Sequence, residues 1–137
     1  MNGPLLLDTC AAIWAAEDQL KPDAVTALNE RYASGESLLI SPITAWEIGL
    51  LFARGRLRAA LAPAEYFRRL IGVPGVRLAE MPAEVLLASS FLPGTPPADP
   101  ADRIIAATAR EYGFTVVTRD AKLLSYAGEG HLKALPC

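Results

Sequence analysis

The first apolar run of the chain, Leu5-Leu6-Leu7-Asp8-Thr9-Cys10 (LLLDTC), ends in a carboxylate. Its unbroken apolar character favours a strand that is buried on both faces, as in a parallel sheet covered by helices. An acid that follows such a strand costs free energy when it is buried without a partner. In open parallel sheets, ligands bind outside the carboxyl ends of the strands. The segment therefore indicates both a fold class and the place where a site is expected.

Further short apolar runs alternate with helical patterns along the chain. The runs predict strands at residues 5–7, 38–40, 76–79, 114–117 and 132–135. Helices are predicted from about residue 9 and at residues 22–34, 42–54, 63–71, 82–91, 100–112 and 121–126. Proline or an N-cap residue begins several of these helices, and glycine ends several of them. This alternation predicts one α/β domain, residues 1–137, with a mostly parallel sheet.

The composition limits the class of protein. A chain of 137 residues that is 52% hydrophobic can bury one core, and its formal net charge of -2 gives no chain-wide attraction for nucleic acid. Two cysteines do not make a disulfide framework. No stretch approaches the ~20 apolar residues of a membrane span, and no signal peptide is recognisable. We therefore expect a cytoplasmic protein that does not contact membranes.

Three more acids occupy positions comparable to that of Asp8. Glu47 lies in the second turn of the helix after strand two, Asp102 in the first turn of the helix before strand four, and Asp120 just after strand four. If the sheet is doubly wound, all four acids can converge on one rim. Clustered carboxylates raise one another's pKa, and a divalent cation relieves the repulsion. Mg²⁺ held in this way activates water against a phosphodiester, so the pattern predicts a nuclease or phosphatase site.

Each of these acids also has a structural interpretation. Asp8 and Asp120 are placed to cap the helices that follow them. Thr44-x-x-Glu47 matches a capping box, and Asp102 complements the positive end of a helix dipole. The equivalent topological positions favour a shared site over four separate structural roles, and sequence alone leaves both interpretations open.

Other residues limit the catalytic mechanisms that the chain can use. Thr9 and Thr118 are candidates for orienting a carboxylate or a bound water, and ordinary strand-end hydroxyls are the alternative. The only histidine, His131, excludes a nuclease that uses two histidines, and the ligand spacing of a zinc site is absent. Cys10 has no base partner, so we expect it to be a small core residue.

Three arginines form a local basic cluster: Arg54, Arg56 and Arg58. If the helix that carries Glu47 continued, Arg54 and Arg58 would share its face. A phosphate backbone that leaves an acidic metal site would then meet them, so they are RNA-binding candidates. The alternative is a solvated helix end, where the dipole favours arginine.

Four motifs, taken together and in order, resemble the PIN-domain ribonucleases, specifically the VapC-type toxins of bacterial toxin–antitoxin pairs. They are LLLDT (5–9), ISPITAWEIGLL (40–51) followed by RGRL (54–57), DPADRIIAATA (99–109) and VVTRD (116–120). The resemblance covers the chain almost end to end. It implies a three-layer α/β sandwich whose five-stranded parallel sheet has the order 3-2-1-4-5. It also implies endonucleolytic cleavage of RNA, of the tRNA or rRNA class, that depends on Mg²⁺ or Mn²⁺.

The resemblance also carries residue roles and partners. By position it assigns the metal-binding acids and their hydroxyl neighbour to Asp8, Glu47, Asp102, Asp120 and Thr118. It implies a homodimer, and a cognate antitoxin whose C-terminal segment packs over the site. The chain departs from many relatives because no histidine shortly precedes its DPADR segment. An extra acid, Asp99, is present there and is expected to cap the helix.

Three other functions compete with the ribonuclease. A phosphatase that resembles the haloacid dehalogenases needs a second aspartate two positions after the first, where this chain has Cys10. A receiver-like phospho-regulatory domain needs paired acids early in the chain, which are absent. A catalytically weak PIN-fold module that acts by protein binding has no need of a costly carboxylate cluster.

Overall fold

The computed structural model describes residues 3–137; residues 1 and 2, which the expected domain includes, lie outside the described part. Its strands are β1 (Leu5–Leu7), β2 (Leu38–Ile40), β3 (Val76–Leu78), β4 (Thr115–Thr118) and β5 (Lys133–Pro136). Its helices are α1 (Thr9–Ala16), α2 (Pro22–Ala33), α3 (Pro42–Ala53), α4 (Pro63–Ile71), α5 (Ala83–Ala88), α6 (Pro100–Tyr112) and α7 (Ala121–Gly128). None of the helices within residues 3–137 has the length and apolarity to span a membrane.

The five strands form one parallel sheet in the order β3-β2-β1-β4-β5, which confirms the expected fold. Strand β1 is central, and Leu6 pairs with Leu39 of β2 and Val116 of β4. All three leucines of β1 are buried, as a strand covered on both faces requires.

Alternate residues of β1 enter two separate cores. Leu5 and Leu7 pack with residues of α1, α2, α3 and α4 on one face of the sheet. Leu6 packs with residues of α6 and α7 on the other face. Helices therefore cover both faces, and this is the predicted three-layer sandwich.

The end of α3 corrects one sequence prediction. The helix stops at Ala53, because Gly55 adopts φ +67° and the Arg56 amide bonds back to the Leu51 carbonyl at 2.8 Å. This is a Schellman-type end that glycine favours. Arg54 is the C-cap residue, and Arg58 lies beyond the helix. The expectation that Arg58 continues the helical face of Glu47 was wrong.

Helix α5 is shorter than predicted and ends at Ala88. The Arg103 side chain donates from Nε to the Ser89 carbonyl at 2.9 Å and from Nη1 to the Pro97 carbonyl at 3.1 Å. The end of α5 itself is set by local turns, since the Ser90 and Phe91 amides bond three residues back to the Leu87 and Ala88 carbonyls. The bonds from Arg103 fasten the proline-rich loop to α6. The loop and the start of α6 are thus held together beside Asp102.

Candidate active site

The carboxyl edge of the sheet positions two of the four acids directly. Asp8 follows β1 and Asp120 follows β4, and these strands are neighbours in the sheet. The Asp8 amide donates to the Val117 carbonyl at 3.1 Å, which fixes the start of α1 against β4. The topology, rather than any local motif, brings these two acids to the same rim.

Asp8 is buried, with 4% of its surface exposed. Its Oδ1 accepts from the Ala11 amide at 2.8 Å, so the residue caps α1, and its Oδ2 accepts from the Thr118 hydroxyl. Burial raises the pKa of Asp8, these two hydrogen bonds oppose the rise, and the charge of Asp120 adds to it. The capping role is therefore real, and burial still leaves the charged form of this acid destabilised.

Glu47 lies on α3, opposite the first turn of α1. The Thr9 hydroxyl donates to its Oε1. Burial raises the pKa of Glu47, the bond from Thr9 lowers it, and the charges of Asp99 and Asp8 raise it. Ser41 is the N-cap of α3, the start that the pair Ser41-Pro42 favours over a capping box at Thr44 and Glu47, and its Oγ accepts from the Ile43 amide at 3.1 Å. Glu47 has no such local role to explain its place.

Among the acids of the rim, Asp102 has the most strongly raised pKa. Burial, followed by the charges of Asp99, Asp120, Glu47 and Asp8, raises the pKa of Asp102 to about 7. Asp99 is the N-cap of α6, as expected, because its Oδ2 accepts from the Asp102 amide at 3.0 Å. Since four other acids act on Asp102, the structure brings all the predicted acids into one electrostatic cluster.

Asp120 caps α7 through a bond from the Leu123 amide to its Oδ2 at 2.9 Å. Its own amide donates to Thr118 Oγ1, also at 2.9 Å. Thr118 therefore contacts both Asp8 and Asp120. Both hydroxyls singled out in the sequence, Thr9 and Thr118, donate to a carboxylate of the cluster.

Cys10 was expected to be a core residue, and this was wrong: it is exposed. The reason is its position in the first turn of α1, on the side that faces away from the core. Partial burial of the thiol, and then the charges of the four rim acids, raise the pKa of Cys10 to about 11. The thiol is thus in the field of all four acids, and it is a poor nucleophile at neutral pH.

The donor set of this rim fits a hard divalent cation. The side chains offer carboxylate oxygens as ligands. The pKa values of Asp8, Glu47 and Asp102 are raised by burial and by the charges of neighbouring acids, and no basic side chain lowers them. Within residues 3–137, no three His, Cys, Asp or Glu side chains are close enough to hold a metal ion directly. Mg²⁺ is suited to such a place, because it binds through one or two carboxylates and retains several waters.

The arginine cluster lies at the far end of α3. Arg54, Arg56 and Arg58 are exposed, and none of them forms an ion pair within the described range 3–137. Arg54 follows Glu47 by seven residues, ~10 Å along the helix axis. By contrast, Arg68 and Arg69 of α4 lie 2.8 and 3.6 Å from carboxylate oxygens of Glu65.

Two residues of this region were missed in the sequence. Thr44, which is fully buried, lies with its hydroxyl oxygen 3.0 Å from that of Thr9. Arg119 stacks 3.4 Å over the ring of Trp14 and donates from Nε to the Cys137 carbonyl at 3.0 Å. For Thr44, the signal available in the sequence was its spacing, since it lies three residues before Glu47 on a predicted helix. No sequence signal pairs Arg119 with Trp14.

A parallel sheet of order 3-2-1-4-5 with an acidic cluster at its carboxyl edge defines the class of this protein. The model of the PIN domain matches residues 5–129, from β1 through α7. The chain therefore belongs to the PIN-domain family.

Known proteins of the same kind resemble the chain over nearly its whole length. It is 32% identical to Ribonuclease VapC22 of Mycobacterium tuberculosis (strain ATCC 25618 / H37Rv) over 123 residues, 89% of this chain and 91% of that protein. VapBC2 from Rickettsia felis, solved bound to a promoter DNA fragment, matches with a TM-score of 0.69 and 16% identity over 97% of this chain and 98% of that one. DNA-bound VapBC from Salmonella typhimurium matches with a TM-score of 0.67 and 19% identity over 98% of each chain. The two structures show the shared fold.

Proposed function

We propose that this chain is a VapC-type endoribonuclease toxin that depends on Mg²⁺ or Mn²⁺ and is neutralised by a cognate antitoxin. The metal-binding and catalytic acids of the proposal are Asp8, Glu47, Asp102 and Asp120. One observation carries it: burial and mutual repulsion raise the pKa of Asp8, Glu47 and Asp102 at a single rim. The 32% identity to a ribonuclease over most of the chain supports the reaction.

The side chains of the rim have distinct parts in this proposal. Asp8 is held by hydrogen bonds from the Ala11 amide and the Thr118 hydroxyl, and each of its carboxylate oxygens keeps a further lone pair for a cation. The Thr9 hydroxyl holds Glu47 by a hydrogen bond. Asp102, whose pKa is raised to about 7, must lose its proton before it carries the negative charge that binds a cation. When bound, the divalent ion supplies an activated water and polarises the phosphodiester.

The proposed substrate is RNA, of the tRNA or rRNA class that the family resemblance implies. Arg54, Arg56 and Arg58 are free to contact phosphates, because none of them is paired with an acid within the described range. They supply the local positive charge that the chain as a whole lacks. We place this activity in the cytoplasm and in a single domain.

An apolar cavity of about 400 Å³ supports the antitoxin as a partner. It lies between β1, β2, α1, α2 and α4, and its lining includes Leu7, Leu28, Ile40, Tyr66 and Leu70. The Tyr66 hydroxyl is buried and has no hydrogen-bond partner within residues 3–137. An apolar antitoxin segment that carries one polar group would fill this cavity and satisfy Tyr66.

The proposed homodimer has a separate surface on and after α5. Phe91 is 84% exposed and Leu87 is 69% exposed, with Leu86 beside them at 39%. Large apolar side chains this exposed are typical of surfaces that become covered by a partner. A double variant, Leu87→Ser with Phe91→Ser, is expected to convert a dimer to a monomer in light scattering, and an unchanged mass would place the dimer contact elsewhere.

The proposed activity is tested by incubating cellular RNA with purified, antitoxin-free protein and Mg²⁺ or Mn²⁺. The controls are a chelator and the variant Asp8→Asn, which keeps a good N-cap residue for α1 and is expected to fold. Asp23→Asn, at an exposed acid in the first turn of α2, is the matched surface control and should cut like the wild type.

Discrete fragments that disappear with the chelator and with Asp8→Asn, and persist with Asp23→Asn, would support a metal-dependent endoribonuclease. Intact RNA in every lane, from protein that is folded and binds the metal, would favour the module that acts by protein binding.

A further inference from the structure

Two buried threonine hydroxyls and one half-buried carboxylate form a hydrogen-bonded line between α1 and α3. The Thr9 hydroxyl donates to Glu47 Oε1, and the Thr44 hydroxyl oxygen lies 3.0 Å from that of Thr9. Thr9 is the first residue of α1 and directly follows Asp8, whereas Thr44 and Glu47 are three residues apart on α3. Thr9 is 6% exposed and Thr44 is fully buried, so water does not compete for the two hydroxyls.

Counting protons gives this line a direction. A threonine hydroxyl has one proton to donate and two lone pairs to accept with. The single hydroxyl proton of Thr9 is used in the hydrogen bond to the Glu47 carboxylate. Thr44 must therefore be the donor in the hydrogen bond between the two hydroxyls. The order is therefore Thr44 to Thr9 to Glu47. Donation into Thr9 polarises its O–H bond and strengthens the bond that Thr9 makes to the carboxylate.

Another buried threonine shows what a purely structural hydroxyl does in this protein. Thr108, which is also fully buried in a helix, donates to the Ile104 carbonyl of its own helix at 2.7 Å. That bond satisfies the hydroxyl locally. Thr44 instead directs its proton to a side chain of the neighbouring helix.

We propose that Thr44 is a positioning residue that acts through Thr9 to hold Glu47 at the acid rim. The line fixes Oε1 of Glu47 and leaves Oε2 without a donor in the described part of the chain. It also ties α3 to the residue next to Asp8, and so sets how far the Glu47 carboxylate lies from Asp8. The inference rests on the proposed metal-dependent function, and it assigns a role to a residue that contacts neither metal nor RNA.

The test compares three variants in the ribonuclease. Thr44→Val removes the hydroxyl with little change of shape, Thr44→Ser keeps the hydroxyl, and Thr108→Val removes an equally buried hydroxyl away from the line. Mn²⁺ affinity is measured by calorimetry on RNA-free protein. RNA cleavage is measured as a function of Mn²⁺ concentration, and folding is checked by circular dichroism.

Thr44→Val is expected to weaken Mn²⁺ binding roughly threefold to tenfold, the typical effect of losing one hydrogen bond. The Mn²⁺ concentration for half-maximal cleavage should rise by the same factor, while the rate at saturating Mn²⁺ changes less. Thr44→Ser should restore the wild-type affinity, and Thr108→Val should leave Mn²⁺ affinity unchanged even where it lowers stability.

Wild-type Mn²⁺ affinity in Thr44→Val, or an equal loss in Thr108→Val, would overturn the proposal. If Thr44→Val does not fold, Thr44→Ala and Thr9→Val carry the same expectations. Affinities that follow the predicted order in protein that cuts no RNA would keep the role of Thr44 and reject the nuclease. Absence of Mn²⁺ binding by the wild type would reject both.

Discussion

The hydroxyl of Thr118 donates a hydrogen bond to the carboxylate of Asp8 across 110 positions of the chain. The same hydroxyl oxygen accepts from the amide of Asp120 at 2.9 Å. The hydroxyl thus donates a hydrogen bond to the side chain of one acid and accepts a hydrogen bond from the backbone of the other, so its orientation is fixed. Thr118, at the end of β4, thereby joins two acids of the rim that lie on neighbouring strands.

Thr118→Val should destabilise the protein more at alkaline than at acidic pH. The bond to ionised Asp8 is charge-assisted, so its loss is expected to cost about 1–3 kcal/mol where Asp8 is charged. Losing this bond raises the folded-state pKa of Asp8 still further above its unfolded value. The loss of stability caused by Thr118→Val therefore grows as pH rises. This loss disappears at a pH low enough for Asp8 to be protonated in the folded wild type and in the folded variant.

Urea unfolding at about pH 4, near the ordinary pKa of 3.8, and at about pH 8 measures this difference. Thr118→Ser retains the hydroxyl and serves as the control, since it should recover most of the loss at both pH values. An equal loss at both pH values would show that packing of the threonine methyl, rather than the bond to Asp8, explains the effect.

Asp102→Asn should make the metal-free protein more stable near pH 8. The folded-state pKa of Asp102 is raised from 3.8 to about 7, so the folded state binds this proton more tightly than the unfolded state. Stability must then fall as pH rises from the unfolded pKa through the folded pKa. Asn removes that dependence, and the advantage of the variant should vanish towards about pH 4.

A pH series of unfolding curves, with Asp23→Asn as a surface control, measures this effect. The same titration predicts that Mn²⁺ affinity of the wild type rises between about pH 6 and pH 8, because the ion must displace the proton of Asp102. A variant that is less stable than the wild type at pH 8 would contradict the repulsion assigned to Asp102.

The thiol of Cys10 should report occupation of the rim. With its pKa raised to about 11 by burial and by the four acids, it should react with iodoacetamide roughly a hundredfold more slowly than a free cysteine. A bound divalent cation offsets the field of the acids, so the pKa of Cys10 should fall and alkylation should accelerate. Mass spectrometry after timed alkylation follows the reaction.

Cys137 is 2% exposed, so modification of the folded protein should occur at Cys10. The variant Cys10→Ser is the control and should not be modified. An alkylation rate that is the same with and without the cation would argue that no ion binds near α1.

Replacing Arg54, Arg56 and Arg58 by alanine should weaken RNA binding in a salt-dependent way. Each lost phosphate contact reduces the slope of log K against log salt by about 0.7 for single-stranded nucleic acid. Binding is measured in the Asp8→Asn background so that the RNA stays intact. The control is Arg68→Ala with Arg69→Ala, two arginines that share one acidic partner, Glu65. An unchanged slope in the triple variant would assign these arginines to an ordinary solvated helix end.

Much of the fold was predictable from local patterns. The three leucines of β1 indicated a doubly covered strand, and proline and glycine marked the start of α4 at Pro63 and the end of α6 at Gly113. These signals act within one turn or one strand, where the backbone itself limits the choices. The error of boundary at α5 arose where the last α-helical turn tightens into bonds between residues three apart, a change that the apolar pattern does not record.

The candidate site was predictable at the level of residue type and sheet edge. Asp8, Glu47, Asp102 and Asp120 stood out because each follows or approaches a strand end, and the family resemblance placed them together. The exposure of Cys10 and the hydrogen-bond partner of Thr44 were not predictable, although the spacing of Thr44 three residues before Glu47 placed both side chains on one face of a helix. They depend on how α1 rotates against the sheet and how α3 packs on α1, and neither leaves a periodic mark in the chain.

The sequence by itself determined the alternation of strands and helices and hence a mostly parallel sheet, because apolar periodicity and helix caps act locally. It also marked the four acids by their positions next to these elements, whereas their common rim follows from the topology. Only the tertiary structure decided which hydroxyl holds which carboxylate: Thr118 reaches Asp8, and Thr44 reaches Glu47 through Thr9. Hydrogen bonds require a donor and an acceptor within about 3 Å. That separation is set by packing between elements that are distant along the chain.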